Sequence, residues 1–268
     1  MTRSRSLLTT LVLGTFVAAC GGGASTAPGT STGGEPGATT GPGATQTGGG
    51  PGGSQDVTAG EAFGPAASAL NALDSYKFNV QIISSSNGTF GSEGTTSFTG
   101  TVVHKPDEEQ QFDEVVTDAS GSVTSELHFV IIGSNAWTKD TASDPYTAVP
   151  AAAVTPMTAA FAAFRPEQLF WTAFGTLGSD YHLAGTETKN GVNSQHFTGD
   201  ASIGTFFSAL SGTSGSWQSD VWLAVDGGYL VSSNVSAAAA SATSAGSFSI
   251  SVDITNVNDS ANKLTPPS

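Results

Sequence analysis

Basic residues are scarce. The 268-residue chain has 8 Lys and Arg against 22 Asp and Glu, a formal net charge of −14. No basic stripe interrupts that field, so nucleic acid is excluded as a partner. Cysteine is reduced to one residue, Cys20, which excludes any intramolecular disulfide. The four histidines, His104, His128, His182 and His196, form no H-x-x-x-H motif and no His/Cys cluster. A zinc site therefore lacks its usual ligand spacing, and no metal or other cofactor is implied. No apolar run approaches the ~20 residues that a membrane-spanning helix needs.

What the chain does have begins at its start. Arg3 and Arg5 precede an apolar stretch from Leu7 to Val17, then Ala18, Ala19 and Cys20. A basic head, a short apolar run and small residues before a cut make a secretory signal over residues 1–19. Val17-Ala18-Ala19-Cys20 resembles the bacterial lipobox. That resemblance implies that Cys20 carries a diacylglyceryl thioether and becomes the first mature residue. Two or more acyl chains anchor stably where one is marginal. The expected location is the cell membrane, lipid-anchored on the extracytoplasmic face. Loss of Arg3 and Arg5 leaves 6 basic against 22 acidic residues, a net charge of −16. Anionic headgroups would repel such a surface, so attachment rests on the acyl chains.

Residues 20–57 read as the lipidated Cys and a tether. From Gly21 to Gly53 the chain is nearly all Gly, Ser, Thr, Ala and Pro, with Glu35 as its one charge. Such a stretch cannot bury enough apolar surface to offset chain entropy, so disorder is expected. As a Gly-rich coil it spans about 30 Å. Gly29-Thr30-Ser31-Thr32-Gly33 matches a nucleophile-elbow pattern, and Gly48, Gly50 and Gly53 match G-x-G-x-x-G. Both motifs need a strand before and a helix after, and neither has them.

Residues 58–268 suffice for one domain with a sizeable core. Tyr76, Phe78, Val80 and Ile82 alternate with polar residues, as do Phe248, Ile250, Val252 and Ile254. Val221, Leu223 and Val225 do the same before Asp226-Gly227-Gly228, and Tyr229 and Val231 resume after it. Period-two alternation predicts strands, and the Asp-Gly and Asn190-Gly191 pairs predict tight hairpins. Further strands are expected at 95–104, 110–117, 123–132, 136–139, 181–189 and 192–198. Phe63, Ala66, Ala67, Leu70 and Leu73 follow helical spacing. Asp200 reads as an N-cap before the stripe Ile203, Phe206, Phe207 and Leu210. Two more helix starts stand at Thr155-Pro156 and Pro166-Glu167. The segment they open carries Met157, Phe161, Phe164, Leu169, Phe170, Trp171 and Phe174. The fold class expected is α+β, a curved antiparallel sheet forming a half-barrel with helices on its concave face.

The globular part resembles the LolA-like lipoprotein-carrier superfamily, and most of all the mycobacterial LppX/LprA/LprF/LprG lipoproteins. The resemblance is carried in order by the lipobox, by Ser75-Tyr76-Lys77-Phe78, and by Ile131-Ile132-Gly133-Ser134-Asn135-Ala136-Trp137. The segment from Asp220 to Val231 and the tail Ile254–Asp259 with Thr265-Pro266-Pro267 complete it. It implies a LolA-like lipid-binding domain, with a lipid or glycolipid held between sheet and helices and carried across the envelope with an envelope transport partner. On that reading Phe161, Phe164, Phe170, Trp171, Phe174, Phe206, Phe207 and Leu210 line or gate the cavity; read as plain residues, most of them fill the core, because apolar helix faces usually just pack. A second reading keeps the fold but makes it an envelope scaffold or sensor that works through protein partners.

Catalytic chemistry finds no footing. No Ser/His/Asp order stands in a convincing context, so no catalytic residue is assigned and the chain is not read as an enzyme. A two-residue turn at Asn190-Gly191 pairs 189 with 192, hence 182 with 199, which puts His182 and His196 on opposite faces. Asp107, Glu108, Glu109, Asp113 and Glu114 read as a solvated hairpin region rather than a cation loop.

Overall fold

Alternation along the chain becomes a single sheet. We describe the protein from a computed structural model over residues 56–85, 93–162, 165–168, 180–202, 216–237 and 247–267. All of them fall in the compact unit Ser54–Ser268. The elements are β1 (Asp56–Thr58), α1 (Ala59–Asn71), β2 (Ser75–Ser84), β3 (Gly94–Val103), β4 (Glu109–Asp118), β5 (Val123–Ile132) and β6 (Asn135–Lys139). They continue with β7 (Thr147–Ala148), α2 (Ala151–Ala162), β8 (Asp180–Lys189), β9 (Val192–Ser202), β10 (Ser216–Ala224), β11 (Leu230–Ala237) and β12 (Phe248–Thr255).

Among the described residues the sheet has 12 strands in the order β1-β8-β9-β10-β11-β12-β2-β3-β4-β5-β6-β7. Each neighbouring pair is antiparallel. The chain therefore runs from β7 at one edge back to β8 near the other, through α2. Laid flat, twelve strands at ~4.8 Å spacing would be about 50 Å wide. Yet inward side chains from β8 through β6 join one core cluster with Phe63, Leu70, Val154 and Phe161 of the helices. The sheet must curl around its helices for that to happen, and β1 and β7 do not pair, so it stays open.

Local chemistry sets the turns. Asn190 (φ 50°) and Gly191 (φ 80°) both take left-handed backbone, as a two-residue hairpin of matching twist requires. Gly100 is needed for a different reason. A Cβ there would stand 2.6 Å from Phe78 Cζ and 2.3 Å from the Gln111 carbonyl oxygen. The missing side chain is the seat of the Phe78 ring.

Three expectations are corrected. Asp200 caps no helix; it stands in β9 opposite Gln218, because β10 offers ladder partners as far as Ser216–Ser202. Helix α2 begins at Ala151 rather than at Pro156, and Pro156 lies inside it. Ala151 to Ala153 are exposed, so water can take the carbonyl that the proline ring cannot serve. Finally, β8 carries a bulge: Leu183 stands opposite Phe197 but Gly185 opposite His196, leaving Ala184 extra. His182 then pairs with Thr198 rather than 199. One inserted residue reverses the phase, and His182 and His196 share the outer face.

Candidate functional site

The concave face is built from aromatic residues on alternating positions. On one half, Phe63 of α1 meets Tyr181 edge-on at 4.5 Å and Phe197 at 5.9 Å. Tyr181 is fully buried and its hydroxyl donates to Ser219 Oγ at 2.9 Å. Burial pushes this phenol up to about 12, with the Ser219 bond opposing the shift. Its ring lies over Gly199, where a Cβ would meet it at 2.9 Å.

On the other half, Phe161 of α2 stacks on Phe129 at 3.8 Å and lies 5.4 Å from Phe112. Phe112 in turn touches Phe129, Phe98 and Phe78. Phe161 is thus a packed residue of the inner face. The other sequence candidates, Phe164, Phe170, Trp171, Phe174, Phe206, Phe207, Leu210 and Cys20, lie outside the described residues.

Sequence reasoning missed a buried polar cluster. The Tyr76 hydroxyl donates to Glu167 Oε2 at 2.5 Å. Arg165 Nη1 donates to Glu108 Oε1 at 2.7 Å, and its Nε lies 2.5 Å from Glu167 Oε1 but off the hydrogen-bond direction. The His104 ring is at the edge of reach, 3.4–3.5 Å from Nη2. Arg165 and Glu167 are both nearly inaccessible, Arg165 at a bend and Glu167 in the helical residues 166–168 that follow it. Burial, reinforced by Glu167, holds the Tyr76 phenol well above its ordinary range. Burial and then Arg165 push the His104 imidazole down. Burial alone would weaken the Arg165 charge, but Glu167, Tyr76 and Glu108 outweigh it and hold the guanidinium charged. The available signal was Arg165 itself, one of only 8 basic residues, set in an apolar segment.

The acidic run is correspondingly less solvated than expected. Glu108 holds Arg165, and Asp113 accepts from His128 Nδ1 at 2.6 Å on the outer face. Glu114 is on the inner face, opposite Phe98 and Leu127 in the ladders, and burial raises its carboxyl. On the outer face His196 Nε2 lies 2.9 Å from Asp220 Oδ1, and its ring stacks on Trp222 at 4.4 Å. Among the described residues no group of three His, Cys, Asp or Glu is placed to hold a metal ion. None of their helices is long and apolar enough to cross a membrane.

An open antiparallel sheet, curled around helices on one face, is a half-barrel. Three solved structures are similar to the chain at low identity. The Mycobacterium tuberculosis lipoprotein LppX is 16% identical over 78% of this chain and 98% of its own, with a TM-score of 0.44. LprF from Mycobacterium bovis is 12% identical over 78% and 96%, with a TM-score of 0.46. A LolA superfamily protein from Nitrosomonas europaea is 11% identical over 79% and 96%, with a TM-score of 0.22. No protein-family model and no curated protein matches the chain.

The two inner-face phenols have a measurable consequence. Their folded values lie above the unfolded value near 10, so above pH 10 the unfolded chain binds fewer protons than the native one. Stability then falls as pH rises, by about 3 kcal/mol from Tyr181 alone between pH 10 and 12. Urea midpoints at pH 9 and pH 11 will show the drop, and Tyr181→Phe will flatten part of it. Equal midpoints for the wild type would contradict the burial of these hydroxyls.

Proposed function

We propose that the protein is a bacterial lipoprotein, anchored through acylated Cys20 on the extracytoplasmic face. It holds a lipid or other apolar ligand between sheet and helices and carries it across the cell envelope. The observation that supports this most is the division of the concave face. Helix α1 is seated on β8 and β9 through Phe63, and α2 on β4 and β5 through Phe161. Between them run the apolar rows of β12 and β2: Ile250 and Val252, Val80 and Ile82, Phe78. An acyl chain lying along those rows would replace side-chain packing with its own, at roughly 0.8 kcal/mol per buried CH₂. The residues Phe164 to Phe174 and the stripe Phe206, Phe207 and Leu210 are its proposed walls.

Residues 20–57 serve as anchor and tether in this account. Cys20→Ala will release the protein from the membrane fraction while leaving its circular dichroism unchanged. Metabolic labelling with palmitate will mark the wild type only. Retention of the variant with its signal removed would overturn the anchor.

A partner-binding scaffold of the same fold is the second reading. The close stack of Phe161 on Phe129 favours it, since a face already filled has less to offer a ligand. The two readings separate on whether acyl lipid travels with the purified protein.

A further inference from the structure

An open recess of about 280 Å³ lies at β8, β9 and β10, lined by His182, Thr198, Gly199, Gln218, Ser219 and Asp220. It is on the outer face, away from the aromatic rows. The bulge at Ala184 makes it. Without the bulge His182 would pair with Gly199 and stand on the inner face with Phe197; with it, His182 stands opposite Thr198, and Thr198 opposite Asp220. One row across three strands therefore carries an imidazole, a hydroxyl and a carboxylate, with the exposed Gln218 amide on the same face of β10. The backbone of Gly199 and Ser219 forms the floor, while the Ser219 hydroxyl is turned inward to Tyr181.

One wall is held in place from outside. Asp220 Oδ1 is paired with His196 Nε2 at 2.9 Å, and that imidazole is stacked on Trp222 within 11° of parallel. The Trp222 indole N–H donates to Glu187 at 2.6 Å. Glu187 is on this face through the regular hairpin register, opposite Ser194. The Asp220 carboxylate is thus fixed before any ligand arrives, which is what a binding site needs.

We propose that this recess binds a neutral polyhydroxylated ligand, one sugar ring of a glycan. Gln218 and Thr198 can each donate and accept, and Asp220 accepts. Vicinal hydroxyls, which donate and accept from neighbouring atoms, satisfy all three at once. An anion would meet Asp220 on a chain of net charge −14. An apolar group would leave the lining unpaired. The volume suits a single pyranose ring. This site does not depend on the lipid reading and uses none of its residues.

The test is saturation-transfer NMR on the full chain with triacetylchitotriose and with maltotriose, each up to about 10 mM, where a Kd near 1 mM approaches saturation. Saturable transfer with at least one sugar is expected. Thr198→Val with Gln218→Ala should weaken it about tenfold or more, and Asp220→Asn should weaken it while keeping the side-chain shape. Should the double variant fail to fold, Gln218→Ala, an exposed change, is read in its place. No saturable transfer with either sugar would overturn the proposal. So would transfer that is unchanged in every folded variant, because the sugar would then be bound elsewhere.

Discussion

Arg165→Met will lower the unfolding free energy by about 3–5 kcal/mol. The size comes from what the substitution leaves behind. Glu167 is 5% exposed, and its carboxylate would lose the adjacent guanidinium while keeping, among the described residues, the Tyr76 hydroxyl as donor. An uncompensated charge in that position costs more than the pair ever contributes. Glu167→Gln should be milder, because the amide oxygen still accepts from Tyr76. The double change Arg165→Met with Glu167→Leu should recover much of the loss, since it removes both charges together. Denaturant midpoints with unchanged slopes give these values directly. A cost below about 1 kcal/mol for Arg165→Met would mean that the segment 165–168 is wet and that the cluster does not bind it to β2 and the start of β4.

Phe161→Ala carries the second large effect, about 3–5 kcal/mol. Its ring is stacked on Phe129 and touches Phe112, so truncation leaves a void on the inner face that β4 and β5 cannot fill by moving. The magnitude also bears on function. A helix α2 that is firmly seated makes Phe161 a core residue, and the full cost appears. A helix that lifts readily to admit a ligand has little packing to lose, and the cost falls towards 1 kcal/mol. Small apolar molecules should raise the midpoint of the variant more than that of the wild type, because an apolar void accepts them.

Much of the sheet is legible in the sequence because alternation is a local signal. Tyr76 to Ile82 and Phe248 to Ile254 announce two strands, and Asn190-Gly191 and Asp226-Gly227 announce the β8–β9 and β10–β11 hairpins, without any knowledge of the rest. The phase of β8 is not legible in the same way. A bulge leaves alternation intact on both sides of Ala184, and only the pairing with β9 reveals the inserted residue. The N-cap at Asp200 fails for a related reason: Asp and Ser suit caps, but a partner strand reaching to Ser216 extends the ladder through them. The polar cluster was out of reach because its members are far apart in the chain. Tyr76 and Glu167 are separated by 91 positions and Glu108 and Arg165 by 57, and no local pattern connects them. Of the cavity candidates Phe161 is described, and it is packed into the core. The aromatic density around it was visible; the distinction between a lining and a filling residue is a matter of tertiary packing.

The central claim is that the concave face holds a lipid. Native mass spectrometry of residues 54–268, exported and purified without detergent, followed by solvent extraction, tests it most directly. The account predicts a mass increment equal to the acyl lipid recovered in the extract, at near-stoichiometric occupancy. A bare protein mass, still bare after incubation with membranes of the source cells, would contradict it.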